Sequence, residues 1–236
     1  MFKKKLTRNG KFEKFRPHTE TTYKKMRTKT LILTAALSAV GLSTSMAQVF
    51  SVNAVGFVTV DVPKGLSMIA NPLTAPTNTI AALFASAADG TTIYKYDGTS
   101  FSINTFDLGE WGNLTDTLLP GDGAFIRNSS AAAFQVTFVG EVSQGSLSHT
   151  IAGPNKLSIQ SSEVPQSGKL ATDLGFPATD GDTIYQYDNA TGAYVGHVLD
   201  LGEWSNGEPV PKVGESFFVR KVDSTPWTRT FSVNTP

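Results

Sequence analysis

The chain has 236 residues, no cysteine, and 20 basic against 20 acidic residues. That balance hides an asymmetry: eleven of the basic residues but only Glu13 and Glu20 lie in residues 1–47, so residues 48–236 carry a net charge of −9. Such a charge disfavours nucleic acid and anionic lipid as partners, because both call for a basic surface. The lack of cysteine excludes disulfides, iron–sulfur sites and thiol nucleophiles.

Residues 1–25 are rich in Lys and Arg and precede Met26. They read as a non-native or extended basic leader, with translation expected to start at Met26. Residues 26–47 read as a signal peptide. Arg27-Thr28-Lys29 supplies the basic start, Leu31 to Leu42 the apolar run, and Ser45-Met46-Ala47 the small-residue cleavage site. A membrane span would need about 20 consecutive apolar residues, and Thr34, Ser38 and Thr44 interrupt this run. The expectation is export, to the periplasm or the extracellular surface, with no membrane span after cleavage.

The remainder is written twice. Thr92-Ile93-Tyr94-Lys95-Tyr96-Asp97 returns as Thr183-Ile184-Tyr185-Gln186-Tyr187-Asp188, and Asp107-Leu108-Gly109-Glu110-Trp111 returns unchanged as Asp200-Leu201-Gly202-Glu203-Trp204. The spacing is 91 residues at the first motif and 93 at the second, so the second copy holds two extra residues between them. Pro63 matches Pro154 at the start of the copies, and Gly121, Phe125 and Arg127 match Gly214, Phe218 and Arg220 near their ends. The copies divide the chain into β-repeats over residues 48–141 and 142–236.

Period-two alternation marks strands. Val58, Val60 and Val62 alternate with Phe57, Thr59 and Asp61, and Phe134, Val136 and Phe138 with Ala133, Gln135 and Thr137. Asp97-Gly98 reads as a hairpin turn after the Tyr94–Tyr96 strand, with Phe101 to Phe106 returning. The longer Asp188–Gly192 turn absorbs part of the insertion. Ile80, Leu83, Phe84 and Ala87 fall on one helical face, with Thr77 or Asn78 as N-cap and Asp89-Gly90 as the stop. Leu170 and Leu174 keep that spacing more weakly before Gly175 and Pro177. The predicted class is all-β: two tandem β-sandwich-like repeats, each with one short helix.

The Gly65–Pro72, Ile93–Asp97 and Gly214–Val219 segments resemble a loose class of uncharacterised exported bacterial β-rich repeat proteins. Their pattern is Ile-Tyr-x-Tyr-Asp followed by Gly-x-x-Phe-Phe-Val. The first copy departs from it at Ala124, where the second has Phe217, and the second lacks the Asn71-Pro72 that closes the first copy's Gly65–Pro72 segment. The resemblance implies an exported β-rich module and transfers no active site.

Two motifs are candidates for ligand binding. In Asp-Leu-Gly-Glu-Trp, Trp111 and Trp204 could stack on a sugar while Glu110 and Glu203 accept hydrogen bonds from its hydroxyl groups. The competing and favoured reading makes the tryptophans core anchors and pairs the glutamates with a cation such as Arg127 or Arg220. Tyr94 with Tyr96, and Tyr185 with Tyr187, share one strand face, either as an aromatic platform or as a partly buried sheet face. Only His149 and His197 remain after cleavage, so no zinc or copper site is expected, and no metal or cofactor is predicted. The Asp-Gly pairs around Asp122 and Asp182 read as turns, with calcium a minor alternative.

The function expected is an exported non-enzymatic structural, adhesive or binding module. Its partner would be a polysaccharide or a surface protein, not nucleic acid. The alternative is a carbohydrate-active hydrolase with Glu110 and Glu203 as its carboxylates.

Overall fold

The computed structural model describes residues 54–234, so the leader and signal-peptide readings fall outside the described residues. Val52–Pro236 forms one compact unit. Its first half contains β1 (Val55–Val62), β2 (Gly65–Ile69), a single helical turn α1 (Ile80–Leu83), β3 (Thr92–Tyr96), β4 (Phe101–Asp107), β5 (Glu110–Trp111), β6 (Ala124–Asn128) and β7 (Phe134–Glu141). The second contains β8 (Gly145–Ile151), β9 (Leu157–Gln160), β10 (Thr183–Asp188), β11 (Ala193–Asp200), β12 (Glu203–Trp204), β13 (Phe217–Arg220) and β14 (Thr225–Phe231).

The two halves pair their strands identically. β1 pairs with β7 and β8 with β14 as antiparallel ribbons, while the five-stranded sheets run β2-β6-β3-β4-β5 and β9-β13-β10-β11-β12. In each half the ribbon covers one face of the five-stranded sheet. Alternation explains why: Val58, Val60, Val62, Val136 and Phe138 point inward from the first ribbon and pack with Ile69, Ile93, Ile126 and Trp111. In the second half, Ile151 and Trp227 meet Ile184, Phe217 and Val219. The molecule is thus all-β, with two similar sandwich-like halves.

The halves differ in their helical segments. α1 is capped by Thr79, whose hydroxyl accepts the Ala82 N–H, and not by Thr77 or Asn78. Asn78 is engaged elsewhere, accepting from the Ala75 N–H and from the Asn71 amide. The second predicted helix does not form; Lys169 to Gly175 makes hydrogen-bonded turns. Lys169 stands before Leu170 where Thr79 stands before Ile80, so no cap hydroxyl is present. Gly175 takes a left-handed φ of 69° and ends the segment. The exposed N–H groups of Ala171 and Thr172 are met by the Glu208 carboxylate from a distant loop, at 2.6 and 2.7 Å.

The opposite faces of the two five-stranded sheets are buried against each other. Met68, Phe125, Ile159, Tyr187 and Phe218 form this third core, with Tyr94, Tyr96 and Tyr185 packed onto it. The arrangement is a pseudo-twofold. Phe125 meets its own counterpart Phe218 at 5.7 Å between ring centroids. Tyr96 meets Phe218 at 6.0 Å and Tyr187 meets Phe125 at 5.6 Å. Tyr96–Phe101 and Tyr187–Tyr194 are both 4.9 Å, and Phe101–Phe125 and Tyr194–Phe218 are both 6.2 Å. Backbone bonds obey the same operation: Ala70 N–H donates to Gly214 O and Ser161 N–H to Gly121 O, each at 2.9 Å.

At the axis, Gly123 abuts its counterpart Ser216. A Cβ at Gly123 would lie 2.5 Å from the Ser216 Cβ and 2.4 Å from Ile159 Cγ2, so only glycine fits there. One inserted residue breaks the symmetry productively. The Asn189 side chain in the longer turn accepts the Met68 N–H at 2.8 Å and donates to Met68 O at 3.3 Å, pairing with β2 as a strand would.

Candidate functional site

The Tyr-x-Tyr motifs lie at this seam. Tyr187 is buried there, and Tyr94, Tyr96 and Tyr185 are half-buried. The residues expected to form a ligand platform therefore spend most of that face holding the halves together. Burying paired aromatic faces yields area plus about 0.5–1.5 kcal/mol per well-oriented pair, which explains why both copies keep them.

The Asp-Leu-Gly-Glu-Trp motifs are β-hairpins. Asp107 pairs with Glu110 and Asp200 with Glu203, leaving Leu-Gly as a two-residue turn. Leu108 and Gly109 have φ of 52° and 85°, and Leu201 and Gly202 of 49° and 80°. This is the turn that matches strand twist, and it normally selects Asn-Gly. An L-residue with a full side chain costs roughly 1–2 kcal/mol in the left-handed region. Both leucines are nonetheless 88% exposed and gain nothing from packing. Each turn is braced from below: Gly109 N–H donates to Asp89 Oδ1 at 3.2 Å and Gly202 N–H to Asp180 Oδ1 at 2.9 Å.

The tryptophans divide from their neighbours. Trp111 is buried in the first core and its Nε1 donates to Phe84 O at 3.3 Å, which removes it from any ligand surface. Trp204 is half-buried against the second core. Trp227, not Trp204, supplies the matching bond there, from Nε1 to Leu174 O at 3.0 Å. Glu110 and Glu203 are exposed beside the leucine tips. Among the described residues neither joins an ion pair; Arg220 donates to Asn155 instead. The glutamates occupy the outer edge strands of different sheets, whereas the halves meet through β2 against β10 and β3 against β9.

Leu108 and Leu201 are not among the site residues predicted from the sequence. The available signal was an apolar residue in the first turn position of both copies, between two carboxylates.

Other polar groups are structural. Asp182 and Lys221 form a fully buried ion pair, which also binds Pro177 O, Thr179 N–H and Val222 N–H. Asp122 caps its own turn through the Leu119 N–H. Among the described residues no three metal-ligating side chains gather, and the aspartates suggested for calcium are accounted for by these turns and this pair. Asp97 and Asp188 are lowered from the usual carboxylate range, chiefly by the N–H groups of Ser100 and of Ala190 in their turns.

A groove of about 720 Å³ runs between Asp61 of the first ribbon and the Lys212–Glu215 loop of the second half. Burial pushes Glu215 above the usual range, against the partly offsetting Lys212 N–H and charge. His197 lines this groove and bonds Gly207 O at 2.8 Å through Nδ1.

Among the described residues no helix is long and apolar enough to cross a membrane. Comparison of the chain with protein-family models, curated proteins and solved structures returned no match.

Proposed function

We propose that the chain is an exported, non-enzymatic structural and adhesive module. It presents two equivalent contact points, the Leu108 and Leu201 hairpin tips, to one extended partner, and polysaccharide is the leading partner class. One observation carries this reading. In both halves an exposed leucine is held in a left-handed turn where Asn or Gly would be less strained. An outlier of this kind motivates a functional hypothesis when the fold itself draws no benefit from it. Leucine covers an apolar C–H face, and the flanking Asp107, Glu110, Asp200 and Glu203 accept hydrogen bonds from hydroxyl groups. A repeating polymer offers equivalent sites to both tips, and linked weak sites gain avidity of about 10²–10⁴.

The hydrolase alternative gains no support from the geometry. Paired catalytic carboxylates stand about 5–9.5 Å apart, whereas Glu110 and Glu203 lie at outer edges of separate sheets.

The test is binding to a panel of soluble and insoluble polysaccharides with wild type, Leu108→Asn, Leu201→Asn and the double variant. Each single substitution is expected to weaken apparent binding about tenfold or more through lost avidity, and the double to abolish it. The folds should persist with melting temperatures raised by about 2–4 °C per substitution, as relief of about 1 kcal/mol of strain implies. Binding to no member of the panel, or binding that survives the double substitution, contradicts the polysaccharide reading.

A further inference from the structure

The seam covers only part of each five-stranded sheet. On the seam face, Tyr94 stands beside Ile103 and Tyr96 beside Phe101; in the second half, Tyr185 stands beside Gly196 and Tyr187 beside Tyr194. The β4 and β11 ends of these rows project past the partner half. Ile103 is 65% exposed and Phe101 44%, while Tyr194 and Val198 are 49% and 39% exposed. Each half therefore extends its buried aromatic face into an open apolar shelf, which ends on the same strand face at the exposed Asp107–Glu110 pair in the first half and the Asp200–Glu203 pair in the second.

We propose that these shelves bind one another between copies of this chain, so that molecules join end to end. The occupant follows from continuity with the seam. That seam already consists of the two duplicated faces laid against each other, with Phe125 on Phe218, so the surface is self-complementary by construction. The uncovered strips belong to the same face and carry the same kinds of residue.

The shelves also differ in a way that selects unlike pairing. Ile103 and Gly196 occupy equivalent positions. Ile103 stands up as a knob, whereas at Gly196 the Tyr185 ring lies 3.7 Å from where a Cβ would be, giving a low, flat surface. Two Ile103 knobs would hold like shelves apart, while the Ile103 shelf of one copy seats against the Gly196 shelf of the next. A heterologous contact of this kind does not close on itself and grows into chains. It does not use the hairpin-tip leucines, Leu108 and Leu201, although Val198 stands only two residues before Asp200 at the foot of the second hairpin.

Sedimentation of the compact 52–236 unit from micromolar to millimolar concentration tests this, with Ile103→Lys and Val198→Lys as separate variants. Both positions are exposed, so circular dichroism and melting temperature serve to show that the fold is intact. Wild type is expected to grow beyond a dimer with concentration, more so at high salt, which screens the net negative charge. Each variant alone should stay monomeric. An equimolar mixture of the two should stop at a dimer, because one intact shelf of each kind remains. A wild type that stays monomeric overturns the proposal, and so does a closed dimer that either single variant still forms. If the monomer's shelf tyrosines are instead quenched by a polysaccharide from the same panel, the shelves belong to that ligand and not to a second copy.

Discussion

At the residue scale, Leu108 and Glu215 each hold a side chain where the fold alone would favour another. Leu108 and Leu201 sit in a turn that Asn would enter at lower cost, and their exposure leaves the strain uncompensated within the chain. Glu215 is half-buried at the groove, and burial raises its proton affinity in the folded state above that of the unfolded chain. The folded state therefore binds more protons across that window, and stability falls as pH rises through it. Glu215→Gln keeps an oxygen for the Lys212 N–H and removes the buried charge. It should raise the melting temperature at neutral pH, with the gain vanishing as pH falls below about 4, where the wild-type carboxyl is protonated in both states. A thermal-melt series against pH checks this; a gain that persists unchanged at acid pH contradicts it. Glu215 carries no mark in the sequence, since a desolvated carboxylate is a property of place, whereas Leu108 and Leu201 carry only the faint one of an apolar residue between two carboxylates in both copies.

At the scale of elements, the strands were legible because alternation is a local signal. Val58, Val60 and Val62 turn inward as their period requires. The helical segments were less so. The Ile80 and Leu170 patterns look alike in spacing, yet only Thr79 offers a cap, and a distant Glu208 completes the other segment without making a helix. The halves also solve one problem in two ways. Asp182 and Lys221 pair in the second half where Thr91 and Asn128 stand in the first. Asn128 donates to Val62 O and Ala132 O in place of the charge. Removing one member of a buried pair leaves the other uncompensated and costs about 3–5 kcal/mol. Asp182→Asn should therefore be strongly destabilising in denaturant unfolding. The double change Asp182→Thr with Lys221→Asn, which imports the first half's solution, should cost less than either single change. A double variant less stable than both singles would show that the two environments are not interchangeable.

At the scale of the molecule, the two similar β-rich halves were legible, and the way they meet was not. Tyr94, Tyr96, Tyr185 and Tyr187 read equally well as a platform or as a buried face. Nothing local distinguishes a strand face that meets ligand from one that meets its own duplicate. The deciding features are contacts between counterparts, Phe125 with Phe218 and Gly123 with Ser216, which the repeat aligns in sequence without bringing them together in space. The two tip hairpins stand at the outer edges of the two five-stranded sheets that this seam joins. The duplicated surface thus serves first to join the halves.

The central claim is that the two halves close face to face through this aromatic seam. A double-mutant cycle on Phe125→Leu and Phe218→Leu, read by denaturant unfolding, tests it most directly. The seam predicts a coupling of about 0.5–1.5 kcal/mol between the two rings. Strictly additive effects would contradict it, because residues that do not touch lose stability independently.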